Sequence, residues 1–133
     1  MNKTIPYLFQ IKGIGSEING YITVAQSPEI SFDVKRVYWT YYTPEDIVRG
    51  HHAHKSLQQV IFAINGSIVF NLENRPGEKY RFALDHPSKG LYIPPLYWRT
   101  IELSRNAVLL CLASEKYDEN DYIRDYDVFK KEK

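Results

Sequence analysis

Turn-forming residues interrupt this chain at intervals of about ten residues, and that rhythm limits the folds open to it more than any other feature. The breaks fall at Gly13 and Gly15, Asn19-Gly20, Ser27-Pro28, Thr43-Pro44, Arg49-Gly50, Asn65-Gly66, Asn74 to Gly77, His86 to Gly90 and Pro94-Pro95. Between them lie short segments rich in Val, Ile, Phe and Tyr, the residues that suit a pleated, half-buried surface. The pattern predicts strands over Ile5 to Ile14, Phe32 to Tyr42, Leu57 to Ile64, Ser67 to Leu72, Lys79 to Leu84, Gly90 to Ile93, Arg99 to Leu103 and Ala107 to Ala113. Alternation puts Val34, Arg36, Tyr38, Thr40 and Tyr42 on one face of the second of these. Asn65-Gly66 predicts a tight hairpin, because both residues tolerate positive φ. Tyr117 to Phe129 alone has helical spacing, so residues 117–133, ending in Lys130 to Lys133, are expected to form a short helical tail. With no linker or repeat, the expectation is one all-β sandwich or barrel over residues 1–133.

Composition narrows the function classes. Net charge is +1 from 17 Lys+Arg against 16 Asp+Glu, which leaves no broad electrostatic footprint for nucleic acid or anionic lipid. No apolar run approaches the length of a membrane span. Asn2, Lys3 and Pro6 are not followed by the apolar core of a signal peptide, so a soluble, cytoplasmic protein is expected. The single cysteine, Cys111, lies in an apolar run and reads as a buried, inert thiol. Aromatic residues reach 14%, including 11 Tyr, which fits strands and half-wet pockets.

The densest polar constellation is Arg49-Gly50-His51-His52-Ala53-His54-Lys55, which holds three of the four histidines. In an extended strand His52 and His54 share a face while His51 points the other way. Two imidazoles facing a barrel interior would suit proton transfer near neutral pH. His86, before Pro87 in a turn-rich stretch, reads as solvent-facing.

Gly50, His52-Ala53-His54, Gln59 and Gly66 resemble the first motif of cupins, a glycine, a His-x-His pair, an acidic residue and a closing glycine. Here Gln59 stands where metal-binding cupins have a glutamate. In the second motif, Gly90 to Trp98, Trp98 falls near the expected third histidine. Neither side chain is a good metal ligand, so no metal or other cofactor is expected. Longer segments sharpen the likeness. Phe32 to Tyr38, Arg49 to Lys55, Gly90 to Pro95 with Trp98, and Tyr122-Ile123-Arg124-Asp125-Tyr126 together resemble the dTDP-4-dehydro-6-deoxyglucose 3,4-ketoisomerases, cupin enzymes of deoxysugar biosynthesis. The resemblance runs from about Ile11 to Phe129. It implies a cupin jelly roll, a dTDP-linked 4-keto-6-deoxyhexose substrate and a homodimer with exchanged N-terminal strands.

Such a reaction removes the proton on carbon 3, holds an enediol and returns a proton to carbon 4. The resemblance assigns the main acid/base role to His54, with His52 assisting, and Tyr38 could polarise the ketone or relay a proton. Arginine forks suit a diphosphate, so Arg36 ranks first, followed by Arg49, Lys55 and Arg99. Trp98, Tyr97, Tyr92 and Trp39 are candidates to stack on thymine, and Gln59 to bind a sugar hydroxyl. The 122–126 segment is expected to dock through polar ties from Arg124 and Asp125. Two rival readings are a 4-keto-sugar epimerase, which also begins by enolisation, and a non-catalytic cupin that binds a sugar nucleotide or a metal.

Overall fold

The computed structural model describes residues 4–131. Asn2, Lys3 and the last two residues of the expected tail lie outside the described residues. The strands are β1 (Tyr7–Gln10), β2 (Ile14–Ser16), β3 (Gly20–Ile22), β4 (Arg36–Thr40), β5 (Val48–His54), β6 (Gln59–Asn65), β7 (Ile68–Glu73), β8 (Lys79–Leu84), β9 (Lys89–Ile93), β10 (Trp98–Leu103), β11 (Val108–Ala113) and β12 (Tyr122–Ile123). A 3-10 turn, Glu119–Asp121, precedes β12, and one helix follows it, α1 (Tyr126–Lys131). Two five-stranded antiparallel sheets, ordered β1-β9-β6-β11-β4 and β12-β5-β10-β7-β8, form the sandwich expected from the turn rhythm and the jelly roll implied by the resemblance.

The core lies between the sheets. Ile61, Ala63, Leu91, Ile93, Leu109 and Cys111 of the first sheet meet Ile68, Phe70, Leu72, Leu84 and Leu103 of the second. Strict alternation in β7, where Ile68, Phe70 and Leu72 are buried and their neighbours are not, shows how the pleat sorts residues. Each fully buried side chain of this kind contributes roughly 1.5–3 kcal/mol. A second cluster covers the outer face of the first sheet, where Ile11 and Ile30 pack over Val60, Phe62 and Tyr92.

Three expectations change. Asn65-Gly66 does not close a hairpin, because β6 and β7 belong to different sheets. Gly66, at φ 70°, instead turns the chain from one sheet to the other. The β10–β11 turn holds that corner: Ser67 N–H donates to Ser104 Oγ at 3.0 Å, and Asn65 Nδ2 donates to the Asn106 carbonyl at 2.9 Å. A Cβ at Gly66 would stand 2.6 Å from Ser104 Oγ, so only glycine fits. Secondly, the strand expected over Phe32 to Tyr42 is confined to β4, and Tyr42 sits exposed at φ 59°. Thirdly, the tail is α-helical only from Tyr126; before that it makes the 3-10 turn and adds β12 to the edge of β5. Among the described residues, no helix is long and apolar enough to cross a membrane.

Candidate active site

Polar side chains from both sheets and the tail converge on a cavity of about 500 Å³ between the sheets. Its lining includes Arg36, Tyr38 and Thr40 from β4, Arg49 and His52 from β5, Gln59 from β6 and Arg99 from β10. The β4 face follows the alternation expected from sequence. On β5 a bulge matters more. Arg99 pairs with His52 and Thr100 with Gly50, which leaves His51 as the extra residue, at φ 57°. Plain alternation would put Arg49 and His52 on opposite faces; the inserted residue brings both inward. Gly50, at φ 93°, makes this possible, since a Cβ there would meet the Arg99 carbonyl at 2.9 Å.

His52 Nδ1 lies 2.9 Å from the Gly50 carbonyl, an acceptor, so that nitrogen carries the proton and Nε2 keeps its lone pair. His54 does not line the cavity directly but lies behind His52, with ring centroids 4.9 Å apart, and is 1% exposed. Its Nδ1 stands 3.3 Å from Asp121 Oδ2. Burial first, and then the charge of Arg99, lower the pKa of His52 to about 4 and of His54 to about 2. Both rings are therefore neutral at physiological pH and free to accept a proton.

A hydrogen-bonded chain supports Tyr38. Arg99 Nη1 donates to Gln59 Oε1, and Gln59 Nε2 donates to the Tyr38 hydroxyl at 2.9 Å. The phenol oxygen thus receives one bond and retains its own proton to give. Desolvation raises the Tyr38 pKa well above its ordinary value, so the group stays protonated. Both ends of the Gln59 amide are engaged and the residue is 1% exposed, so it serves this chain rather than offering a free amide to a sugar hydroxyl.

Three expected site residues are not brought to the cavity. Lys55 follows the last residue of β5 and lies exposed beside an outer groove with Glu115 and Asp121. Trp98 neighbours Arg99 on one strand, so the two cannot share a face, and Trp98 packs outside against Tyr126 and Phe129. Tyr97 is buried in the core, and its hydroxyl donates to the Thr4 carbonyl at 2.9 Å. Of the other candidates for stacking, Tyr92 is buried under the outer face and Trp39 is exposed on it. The aromatic rings that do line the cavity, besides Tyr38 and Phe70, are Tyr117 and Tyr122.

These two, with Arg124, were not singled out as cavity residues. They arrive with the tail. Pairing of Tyr122 with His54 lays the Tyr122 ring 4.4 Å from the His54 ring and 5.1 Å from that of His52. Arg124 sits 4.1 Å over the Tyr122 ring and donates to Glu119 at 2.7 Å. The polar ties expected from Arg124 and Asp125 to the barrel are instead made within the tail: Arg124 pairs with Glu119, and Asp125 Oδ1 accepts from Val128 N–H at 3.1 Å. The cavity lining holds Arg36, Arg49, Arg99 and Arg124 and no carboxylate. That environment suits an anion with more than one negative charge. Among the described residues, no group of three or more His, Cys, Asp or Glu could hold a metal.

The sequence matches the family described as FdtA: WxcM-like, C-terminal, over residues 3–133. It is 39% identical over 131 residues to a TDP-4-oxo-6-deoxy-alpha-D-glucose-3,4-oxoisomerase of Aneurinibacillus thermoaerophilus, covering 98% of this chain and 91% of the relative. Among solved structures it is similar to QdtA, a sugar 3,4-ketoisomerase of Thermoanaerobacterium thermosaccharolyticum in complex with TDP, with TM-score 0.88, 43% identity and coverage of 94% and 91%. A histidine-to-asparagine variant of that enzyme, in complex with TDP-4-keto-6-deoxyglucose, gives TM-score 0.89, 42% identity and coverage of 98% and 94%.

Proposed function

The chain belongs to the FdtA family of TDP-sugar 3,4-ketoisomerases, and on that footing we propose that it converts TDP-4-keto-6-deoxyglucose to the 3-keto isomer by proton transfer through an enediol. The observation that carries this reading is a cavity rich in arginine and free of carboxylate, with the neutral imidazole of His52 at one wall and that of His54 directly behind it. The guanidinium groups of Arg36 and Arg49 hold the diphosphate, and the rings of Tyr117 and Tyr122 offer surfaces to the base.

His54 accepts the proton from carbon 3; the C–H electron pair forms the carbon–carbon double bond as the carbon 4 oxygen takes up charge. Tyr38, held protonated, gives that oxygen a proton. The imidazolium then returns its proton to carbon 4, while Tyr38, having given its proton to the carbon 4 oxygen, takes up the one the carbon 3 hydroxyl loses, and the ketone has moved with no net change in oxidation state. His52, one ring away, assists this exchange. The scheme calls on no metal, and Gln59 supports Tyr38 instead of acting as a ligand.

We also propose a cytoplasmic homodimer with exchanged N-terminal strands. β1 is hydrogen-bonded to β9 of its own chain, whereas the β2–β3 hairpin forms a separate sheet and is the segment free to cross. Support comes from its exposed Ile14, Ile18, Tyr21 and Ile22, which a lone subunit would leave in water.

The test is incubation with TDP-4-keto-6-deoxyglucose in D2O, followed by NMR. A 3-keto product is expected, with deuterium at carbon 4 to the extent that the imidazolium exchanges its proton with solvent before returning it; no product and no exchange would overturn the reading. His54→Asn should lower kcat by at least about 100-fold with the fold intact, as loss of an acid/base group does. Near-normal turnover would remove His54 from the mechanism.

A further inference from the structure

Asp121 follows from no motif in the sequence, yet it approaches His54 from the side opposite the cavity. Its two oxygens have different tasks. Oδ1 accepts from both the backbone N–H and the hydroxyl of Ser56, each at 2.8 Å. The Asp121 carbonyl accepts from Lys55 N–H at 2.9 Å, so the residue is pinned to the chain just beyond β5. Oδ2 is left 3.3 Å from His54 Nδ1. That nitrogen is buried and makes no hydrogen bond, so the carboxylate stands beside it at ion-pair distance. With Nδ1 turned to the tail, Nε2 on the far edge of the ring is directed away from Asp121.

The other groups around His54 act against a proton on its ring. His52 faces it from the same strand, Arg99 from β10, Arg36 from β4, and Arg124 from the tail, with the Tyr122 ring between. Each of the three arginines disfavours an imidazolium, as does burial. A base in such a site would hold its proton poorly without an opposing charge. Among the described residues, Asp121 is the one carboxylate recorded within ion-pair distance of His54.

We infer that Asp121 is a positioning residue for His54: its carboxylate, at ion-pair distance from Nδ1, favours the tautomer with the proton on that nitrogen, keeps the Nε2 lone pair available, and offsets the imidazolium charge as it forms. This rests on the reading of His54 as the base. When the substrate C–H bond breaks, the proton goes to Nε2 and the electron pair to the enediolate. The proton stays on His54 and is not passed on to the carboxylate, as in His–Asp pairs of other acid/base sites. The carboxylate also pins the tail, so the alternative is a purely structural tie.

Three variants separate these roles. Asp121→Asn keeps an oxygen for Ser56 and removes the charge; Ser56→Ala removes the hydroxyl tie and keeps the charge; Asp121→Glu restores charge at a longer reach. For Asp121→Asn, kcat should fall by about 10- to 1,000-fold with KM little changed, and 15N NMR of the imidazole should lose the Nδ1-protonated signature of His54. Ser56→Ala should stay within about twofold of wild type, and Asp121→Glu should recover part of the loss. Wild-type kcat in Asp121→Asn, or equal losses in Asp121→Asn and Ser56→Ala that track their melting temperatures, would overturn the inference. Failure of the underlying reading looks different. There His54→Asn itself turns over normally, while the NMR signature still reports whether Asp121 sets the tautomer.

Discussion

At the scale of single residues, His52 and His54 are held in a form that an unfolded chain would not hold. Their pKa values, about 4 and about 2, lie below the ordinary histidine value of 6.5. Between pH 6.5 and about 4 the unfolded chain therefore binds protons that the folded chain does not. Stability rises with pH where the unfolded state binds more protons. Their contribution is thus fully present above pH 6.5 and is lost as pH falls, with a slope of up to about 1.4 kcal/mol per pH unit for each ring. Urea midpoints should drop between pH 7.5 and 5, and the His52→Asn/His54→Asn variant should show a flatter curve. An equally steep curve in that variant would show that other groups set the dependence. Much of this site was legible in the chain itself. Arg36 and Tyr38 follow plain alternation, and the His-x-His pair announces its shared face. Arg49 reaches the cavity only through the His51 bulge, which no residue pattern specifies. Trp98 and Arg99 were both expected there, and strand geometry allows only one of them.

At the scale of elements, the tail joins stability to chemistry. Phe129 is buried against Trp98, with the Arg75 guanidinium 5.5 Å over its ring and Arg75 Nε donating to its carbonyl at 2.9 Å. Lys130 Nζ reaches Glu73 at 3.0 Å and the Arg75 carbonyl at 2.8 Å. A helix of six residues has little stability alone, so docking holds it. Phe129→Ala should cost about 3–5 kcal/mol if α1 melts with the barrel. It should also lower turnover, because Phe129 packs against Ala53 of β5 and Ile123 of β12, the residues that neighbour the histidines. A drop in melting temperature with kcat untouched would show that β12 stays docked without the helix. Helical spacing in Tyr117 to Phe129 revealed part of this element. It missed β12, because a two-residue strand exists only through its partner β5. The Asn65-Gly66 turn is similar: its residues specify a sharp reversal, but which sheet receives β7 is decided by long-range pairing with β8 and β10.

For the molecule as a whole, one side gathers a cluster of exposed apolar residues. Trp39, 60% exposed, stands with Val37 and Ile64 on the outer face of the first sheet, and Ile18 at the tip of the β2–β3 hairpin is 93% exposed. A groove of about 840 Å³ between that hairpin and the sheet is lined by Tyr21, Thr23, Phe62, Ile64 and Leu110. Such a face would suit a second copy. Light scattering should give twice the chain mass of 15.6 kDa. Trp39→Glu should shift the protein towards monomer; a wild-type protein that is monomeric at micromolar concentration would exclude the assembly. The fold class was open to sequence reading because turn rhythm and alternation are local. The assignment of strands to sheets was not, since it depends on which distant apolar faces meet.

The wall of the cavity built by Tyr122 and Arg124 has one more effect, in time rather than space. A ribosome exports His52 and His54 long before it has made the segment that backs them. A nascent chain ending at β11 would already carry both imidazoles and nearly all of both sheets, yet its pocket would gape on the tail side. The tail is thus the last segment needed to close the pocket.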